Sequence, residues 1–380
     1  MSYKITKPVR LIECFGGIGT QAMAMRNVGA DFEHYRYYDF EPNAVKSYNA
    51  IHHTSFEPTD ICKVTGVDLG IVDKDKYEYV LTYSFPCQSL SCAGRQAGMS
   101  KGAGTRSGFL WEVERLLDEC TELPQVLVME NVIQVHAPKH IADFNLWLEK
   151  LESLGYKNYY ADLNARDFNL AQNRVRCIMV SVLSDEPYEF PVGLGLSKSL
   201  DEFLESYVDA QYYLEKSRQD AYIAELKKRF GTKIIENFYK SHETMSLEKN
   251  DLNLRAVRNG LKIICASRGR AIQNDALRVN AKSKWTQHLE PNKDCTTNTI
   301  TTVTKDNLLL SAVGEEYTVR NLTPKECWRI MGFCDSDFNA ASSVCSKTQL
   351  YNQAGNAIAL PVLEAVFAKL FDKNESVASE

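Results

Sequence analysis

The first 185 residues repeat one device: a short apolar run ends in a glycine or polar residue, and a stretch of helical periodicity follows. Val9 to Phe15 is such a run. It breaks at Gly16-Gly17-Ile18-Gly19 and leads into a helical pattern through Ala22, Met23, Met25 and Val28, closing at Gly29, a residue type favoured just past helix ends. Phe32 to Phe40 predicts a second strand with Asp39 near its end. Tyr77 to Tyr83, Val126 to Met129 and Cys177 to Val182 predict three more. Between them, Phe109, Leu110, Val113, Leu116 and Leu117 fall on one helical face, as do Ile141, Phe144, Leu148 and Leu151 ahead of Gly155. Strands alternating with helices imply an α/β fold, a doubly wound and mostly parallel sheet that binds ligands beyond the carboxyl ends of its strands. Cys87, Glu130 and the first glycine turn all stand at such ends.

The pattern changes after Leu183. Ser199-Leu200-Asp201-Glu202 reads as a capping box opening a polar helix, and Asp220 to Tyr239 as a charged, solvated one. From Lys249 to Lys293 ten basic residues, Arg268 and Arg270 among them, face only three acidic ones. Cys295 to Thr302 has strand propensity and many hydroxyls. Helical patterning returns through Glu326, Cys327, Ile330 and Met331. The expected division is a body of 1–185 plus 318–380 with a smaller domain, 186–317, inserted. A net charge of −5 confines any polyanion-binding surface to a local patch such as this tract. No apolar stretch reaches the ~18 residues of a membrane span. Eleven cysteines, an odd number without metal-ligand pairs, and a start without a signal-peptide pattern point to reduced thiols in the cytoplasm.

Taken singly, the polar features have plain structural explanations. Phe15-Gly16-Gly17-Ile18-Gly19 is not the full dinucleotide fingerprint, and Asp39 and Asp60-Ile61 fit tight turns or surface acids. An adenosine-like ligand accounts for all three together. A lone cysteine is more often inert and buried, but Cys87 follows a strand and is flanked by Pro86 and Gln88, with Ser89, Ser91 and Gly94 beyond. Glu130 closes an apolar run, where a carboxylate is costly without a partner. Arg174 and Arg176 alternate around Val175, so both guanidinium groups are expected on one face as an anion or carbonyl clamp, a surface ion pair being the alternative.

Six ordered segments carry a resemblance. They are Phe15-Gly16-Gly17-Ile18-Gly19, Phe85-Pro86-Cys87-Gln88, Glu130-Asn131-Val132, Gln172-Asn173-Arg174-Val175-Arg176, Arg320 to Cys327 with Gly332-Phe333, and Gly355-Asn356-Ala357. In order and spacing the chain resembles the cytosine-C5 DNA methyltransferase family of bacterial and phage type, over nearly its whole length outside a variable region near 185–315. Asp39 stands where that family usually has glutamate, and Thr20 where it often has glycine.

The resemblance implies the following chemistry. The Cys87 thiolate adds to carbon 6 of a flipped cytosine in duplex DNA, Glu130 holds N3 and the exocyclic amine, Arg176 binds O2, and Arg174 supports the same pocket. S-adenosylmethionine then methylates carbon 5. That cofactor is expected against Phe15, Gly16, Gly17, Ile18, Gly19, Asp39, Phe40, Asp60, Ile61, Pro86, Asn356 and Ala357. DNA is expected against Gln88, Ser91, Arg95, Arg268, Arg270 and the threonine element Thr299-Ile300-Thr301. The glycine-rich stretch Gly94 to Gly108 is a candidate closing loop or an ordinary surface loop. No metal is expected. A monomer suffices, and a cognate restriction endonuclease, if one exists, needs no stable complex. The competing readings are a transfer-RNA cytosine methyltransferase of the same fold and an inactive DNA-binding relative. The presence of Cys87, Glu130, Arg174 and Arg176 disfavours the second.

Overall fold

Apolar runs and helices alternate in the structure as β1 (Val9–Cys14), α1 (Thr20–Asn27), β2 (Phe32–Tyr38), α2 (Pro42–His52), β3 (Glu78–Tyr83), α3 (Leu110–Glu119), β4 (Val126–Val132), α4 (Ile141–Ser153), β5 (Lys157–Asn164) and β6 (Val175–Val182). This computed structural model describes residues 2–90, 98–102, 104–242, 262–271, 285–292, 296–303, 306–313 and 316–371. The six strands form one sheet in the order β2-β1-β3-β4-β6-β5. β2, β1, β3 and β4 are parallel, and β6 runs antiparallel to both its neighbours. That reversal has a simple cause. Only a ten-residue connection holding one 3-10 turn, Ala165–Asp167, joins β5 to β6, too short for the helical crossover that a parallel pair needs.

Both faces of the sheet are covered, which is why its central strands read as near-continuous apolar runs. One face packs Leu11, Val80, Val128 and Val180 against α1 and the C-terminal helix. The other packs Ile12, Leu81, Met129 and Met179 against Leu116 of α3 and Phe144 and Leu151 of α4. Two elements of this sheet and its flanking helices escape the sequence reading. β5 is a half-exposed edge strand with polar residues on both faces. α2 carries signals of its own, Pro42 at its start and a Glu41 side chain accepting from Ala44 N.

The remainder comprises α5 (Lys216–Phe230), α6 (Ile234–His242), β7 (Lys262–Ala271), β8 (Trp285–Pro291), β9 (Leu308–Val313), β10 (Glu316–Asn321), α7 (Pro324–Ile330), α8 (Asp335–Ser342), α9 (Lys347–Asn356) and α10 (Leu360–Phe371). β10-β9-β7-β8 is a second, antiparallel sheet, with its own core where Tyr222, Leu226 and Phe238 meet Ile263, Leu289, Leu310 and Val319. Its last strand crosses the 317/318 boundary. The charged helix expected over Asp220 to Tyr239 is two helices, because α5 stops at Phe230 and Gly231 takes φ 76°. The Ser199 capping box caps only a 3-10 turn, Leu200–Phe203, which buries Leu200 and Phe203 in the main core. Among the described residues no single helix is long and apolar enough to cross a membrane.

Candidate active site

β3 ends at Tyr83, and the next four residues turn Cys87 away from the sheet while Phe85 stays buried. Two side chains hold this loop. Asn131 Nδ2, from β4, donates to Phe85 O at 3.0 Å, and Ser107 Oγ donates to Pro86 O at 2.7 Å while accepting from Ser89 N at 3.2 Å. Cys87 is half-buried and Gln88 exposed. Burial, then the nearby Glu130 charge, push the Cys87 thiol above its ordinary range, while Arg176 and Arg174 pull it down.

Glu130 lies within β4 rather than at its end, on the same face as Arg176, whose Cα pairs with that of Val132. Its Oε1 stands 3.2 Å from Arg176 Nε, with little of either side chain exposed. Burial raises the Glu130 carboxyl above the usual range, and the two arginines oppose that shift. The site therefore sets a carboxyl and a thiol side by side, both shifted upward by burial and both opposed by the two arginines.

Arg174 departs from the expected clamp. It precedes β6 and is 3% exposed, and its guanidinium is spent on main-chain carbonyls. Nη1 donates to Ile300 O at 3.0 Å, and Nη2 to Gly355 O at 3.3 Å and Ala357 O at 2.6 Å. The alternation around Val175 puts both arginines on one face, but only Arg176 meets Glu130. Arg174 instead ties Ile300 to the Gly355–Ala357 segment. Its partners are more than 120 positions away in sequence, so no local pattern marks the role.

The same five-residue segment anchors the threonine element. Gln172 Oε1 accepts from Ile300 N at 2.8 Å, Thr299 Oγ1 donates to Asn173 O at 2.7 Å, and Thr297 N donates to Ala171 O at 2.7 Å. Residues 296–302 thus form no sheet strand, only an isolated bridge between Gln172 and Thr297. Of the residues expected at DNA here, the Ile300 side chain is buried and the Thr299 hydroxyl donates internally. Thr301 is half-buried, and its Oγ1 accepts from Val303 N at 3.1 Å. A Cβ on Gly355 would lie 2.7 Å from the Thr301 carbonyl carbon, so that glycine permits the close approach. Of the other expected DNA contacts, Arg268 pairs with Asp306 at 2.8 Å and is partly exposed. Ser91, Arg95 and the Arg270 side chain lie outside the described residues, as do Gly94 and most of the basic tract.

Most of the expected cofactor residues lie at or beside the carboxyl ends of β1 and β2, whereas Pro86 follows β3 and Asn356-Ala357 closes α9. Phe15 N donates to Tyr38 O at 2.8 Å, Gly17 N to Asp39 Oδ2 at 2.9 Å, and Thr59 N to Asp39 O at 2.8 Å, bringing the Asp60-Ile61 turn alongside. Gly17 and Gly19 take positive φ, and a Cβ on Gly16 would strike the Tyr37 ring at 2.6 Å. Asp39 Oδ1 accepts from Glu41 N at 2.9 Å, and burial raises this carboxyl. Each oxygen keeps a lone pair for a hydroxyl donor. Phe40, beside it, is 64% exposed, a ring left open for stacking. Asp60 is exposed and Ile61 buried, Ile18 is buried, Pro86 half-buried, and Asn356 ends α9 exposed next to buried Ala357. A carboxylate with acceptor capacity to spare beside an open aromatic face fits the adenosine end of S-adenosylmethionine. Behind the turn, wholly buried Glu13 accepts from Tyr48 Oη at 2.6 Å, and burial pushes its carboxyl up to about 8. The sequence signal for it was a glutamate inside an apolar strand.

Residues 9–372 match the family model described as C-5 cytosine-specific DNA methylase. The type II methyltransferase M2.ScrFI of Lactococcus lactis subsp. cremoris is 28% identical over 412 aligned positions, covering 96% of this chain and 99% of that one. The orphan methyltransferase M.SssI of Spiroplasma monobiae is 35% identical over 257 positions, 53% of this chain and 66% of its own. The crystal structure of the Dnmt2 methyltransferase from S. pombe superposes with a TM-score of 0.60 at 16% identity, covering 96% of this chain and 98% of that one, and so shares the fold.

Proposed function

The chain belongs to the C-5 cytosine-specific DNA methylase family, and from that premise we propose that Cys87, Glu130 and Arg176 carry its methyl transfer while Arg174 holds them in register. The enzyme moves a methyl group from S-adenosylmethionine to carbon 5 of a cytosine in DNA. Stacked neighbours cover the ring face that a thiolate must approach, so the base leaves the helix at a cost of a few kcal/mol, offset by protein–DNA contacts.

Cys87 Sγ then bonds to carbon 6. The C5–C6 π electrons shift toward C4 and N3, where Glu130 delivers a proton, while Arg176 neutralises charge at O2. Carbon 5 becomes nucleophilic. S-adenosylmethionine would supply the methyl group when bound, and Phe40, Asp39 and the Asp60 turn would hold its adenosine. Loss of the carbon 5 proton to water, departure of Cys87 as thiolate and return of the N3 proton to Glu130 restore the neutral aromatic ring. The observation that carries this reading is the Asn131–Phe85 hydrogen bond, which fixes the Cys87 loop to the strand presenting Glu130.

The division into a catalytic body, 1–185 plus 318–380, and a DNA-reading domain, 186–317, is part of the same proposal. So are a monomer acting in the cytoplasm of a bacterial or phage-infected cell and the absence of a stable complex with any nuclease. Arg268, Thr301 and Gln88 keep DNA-contact roles, being exposed or partly so. The test is plasmid DNA incubated with the purified protein and S-adenosylmethionine, read by single-base 5-methylcytosine sequencing. Modified cytosines within one short recurrent motif are expected, and none with Cys87→Ala. Wild-type rates from Cys87→Ala would end the assignment of the nucleophile.

A further inference from the structure

Behind the sheet, on the face opposite Arg176, three ligating side chains meet that methyl transfer does not use. His136 ends the 3-10 turn that follows β4, Asp162 lies in β5, and Cys177 in β6 is the register partner of both Asp162 and Asn131. Their ligand atoms all lie within 4.8 Å of one another. His136 Nε2 is 2.9 Å from Asp162 Oδ1. Cys177 is 0% exposed, and its thiol makes no hydrogen bond among the described residues, although it faces a carboxylate. No metal was expected from the sequence, because these residues stand 26 and 15 positions apart and match no ligand spacing. Only the hairpin of β5 and β6 brings them together.

We propose that His136, Asp162 and Cys177 form a site for a thiophilic divalent transition ion, zinc by ligand class. Imidazole, carboxylate and thiolate are zinc's three usual protein ligand types. Metal–ligand lengths of about 2.0–2.3 Å place tetrahedral ligands about 3.3–3.8 Å apart, within reach by small side-chain shifts. Binding displaces the Cys177 proton to solvent, so that two anionic ligands balance a divalent charge and the ion becomes the partner the buried thiol lacks. His136 and Asp162 are partly exposed, so the fourth position opens to solvent. The bound ion ties the turn that leaves Glu130-Asn131-Val132 to β5 and β6, clamping the far side of the catalytic strand.

Cobalt is the probe. Co²⁺ is titrated into protein carrying Cys87→Ser, which removes the one thiol of the proposed reaction, in buffer without chelators. A thiolate-to-cobalt charge-transfer band saturating at one ion per chain, and displaced by zinc, is expected. Cys177→Ser in that background removes the band, and His136→Ala weakens cobalt binding at least tenfold, with circular dichroism and S-adenosylmethionine binding unchanged. His136 is partly exposed, so its variant keeps the test sound if Cys177→Ser folds poorly. No band in the parent, a band indifferent to Cys177, or full affinity in His136→Ala each overturns the site.

Discussion

Arg174→Lys separates positioning from direct base contact. The arginine makes three charge-assisted hydrogen bonds to carbonyls in a buried setting. Lysine keeps the charge but presents one ammonium in place of a planar fork, so it reaches one of three carbonyls that lie in different directions. Each buried acceptor left unpaired costs about 1–3 kcal/mol. Two of them, with part of the cost recovered by water at half-buried Gly355, give a loss of about 2–4 kcal/mol. Domains of ordinary stability, about 5–15 kcal/mol, survive that and stay folded. Urea unfolding of the variant should show a lower midpoint, with weaker DNA binding because Ile300 is released from the body. Arg176→Lys is the contrast. That side chain donates to Val175 O at 2.8 Å and pairs with Glu130; lysine keeps the charge and loses chiefly the hydrogen bond, so stability falls by about 0.5–1.5 kcal/mol. Turnover, in contrast, falls at least ~100-fold as charge at O2 goes uncompensated. An Arg174→Lys protein as stable as wild type but without turnover refutes the positioning role.

Three further outcomes follow from the same geometry. Glu130→Gln should lose about 10²–10⁴-fold in turnover as the N3 proton donor disappears, while equilibrium dialysis shows S-adenosylmethionine binding intact; lost cofactor binding makes Glu130 structural instead. Alkylation of Cys87, followed by peptide mass spectrometry against pH, should speed up only as the raised thiol ionises. Removing the Glu130 charge lowers that pKa and moves the profile to lower pH, and Arg176→Met moves it higher; shifts of the opposite sign reject the charge assignment. Phe40→Ala should weaken S-adenosylmethionine binding by about 2- to 12-fold, from about 0.5–1.5 kcal/mol of lost stacking, with an unchanged melting temperature because the ring is largely exposed; unaltered calorimetric affinity removes Phe40 from the cofactor site.

What could be read before folding was whatever the chain writes locally. Val126 to Met129 announces a strand because both its faces are buried, and Gly16-Gly17-Ile18-Gly19 announces a turn because a Cβ there meets Tyr37 or Tyr48. β5 was missed because an edge strand with half-exposed polar residues lacks either periodicity. The strand propensity of the threonine tract is not realised, because β propensity reports a fit to a pleated surface, whereas here hydrogen bonds to Gln172 and Asn173 fix the segment without a ladder. Arg174 and Cys177 fall in a third class, since their partners come from remote segments and no spacing rule reaches them.

That third class explains how one short segment serves the whole enzyme. Gln172 and Asn173 hold the threonine element, Arg174 ties that element to the main chain of Gly355 and Ala357, and Arg176 turns to Glu130. Five consecutive residues thus contact the variable region, the segment expected at the cofactor and the carboxyl expected at the base. A shift of residues 296–302 on DNA binding cannot be absorbed locally, because the Arg174 fork has no slack among three carbonyls. It must be passed to 355–357 or back along the chain to Arg176. Misplacement of a reacting group by about 1 Å costs about 100-fold in rate, so DNA that seats the threonine element poorly is methylated slowly even where it binds. Discrimination between sites should therefore be larger in single-turnover rate than in equilibrium affinity, and equal ratios in the two measurements would show that this segment carries no such coupling.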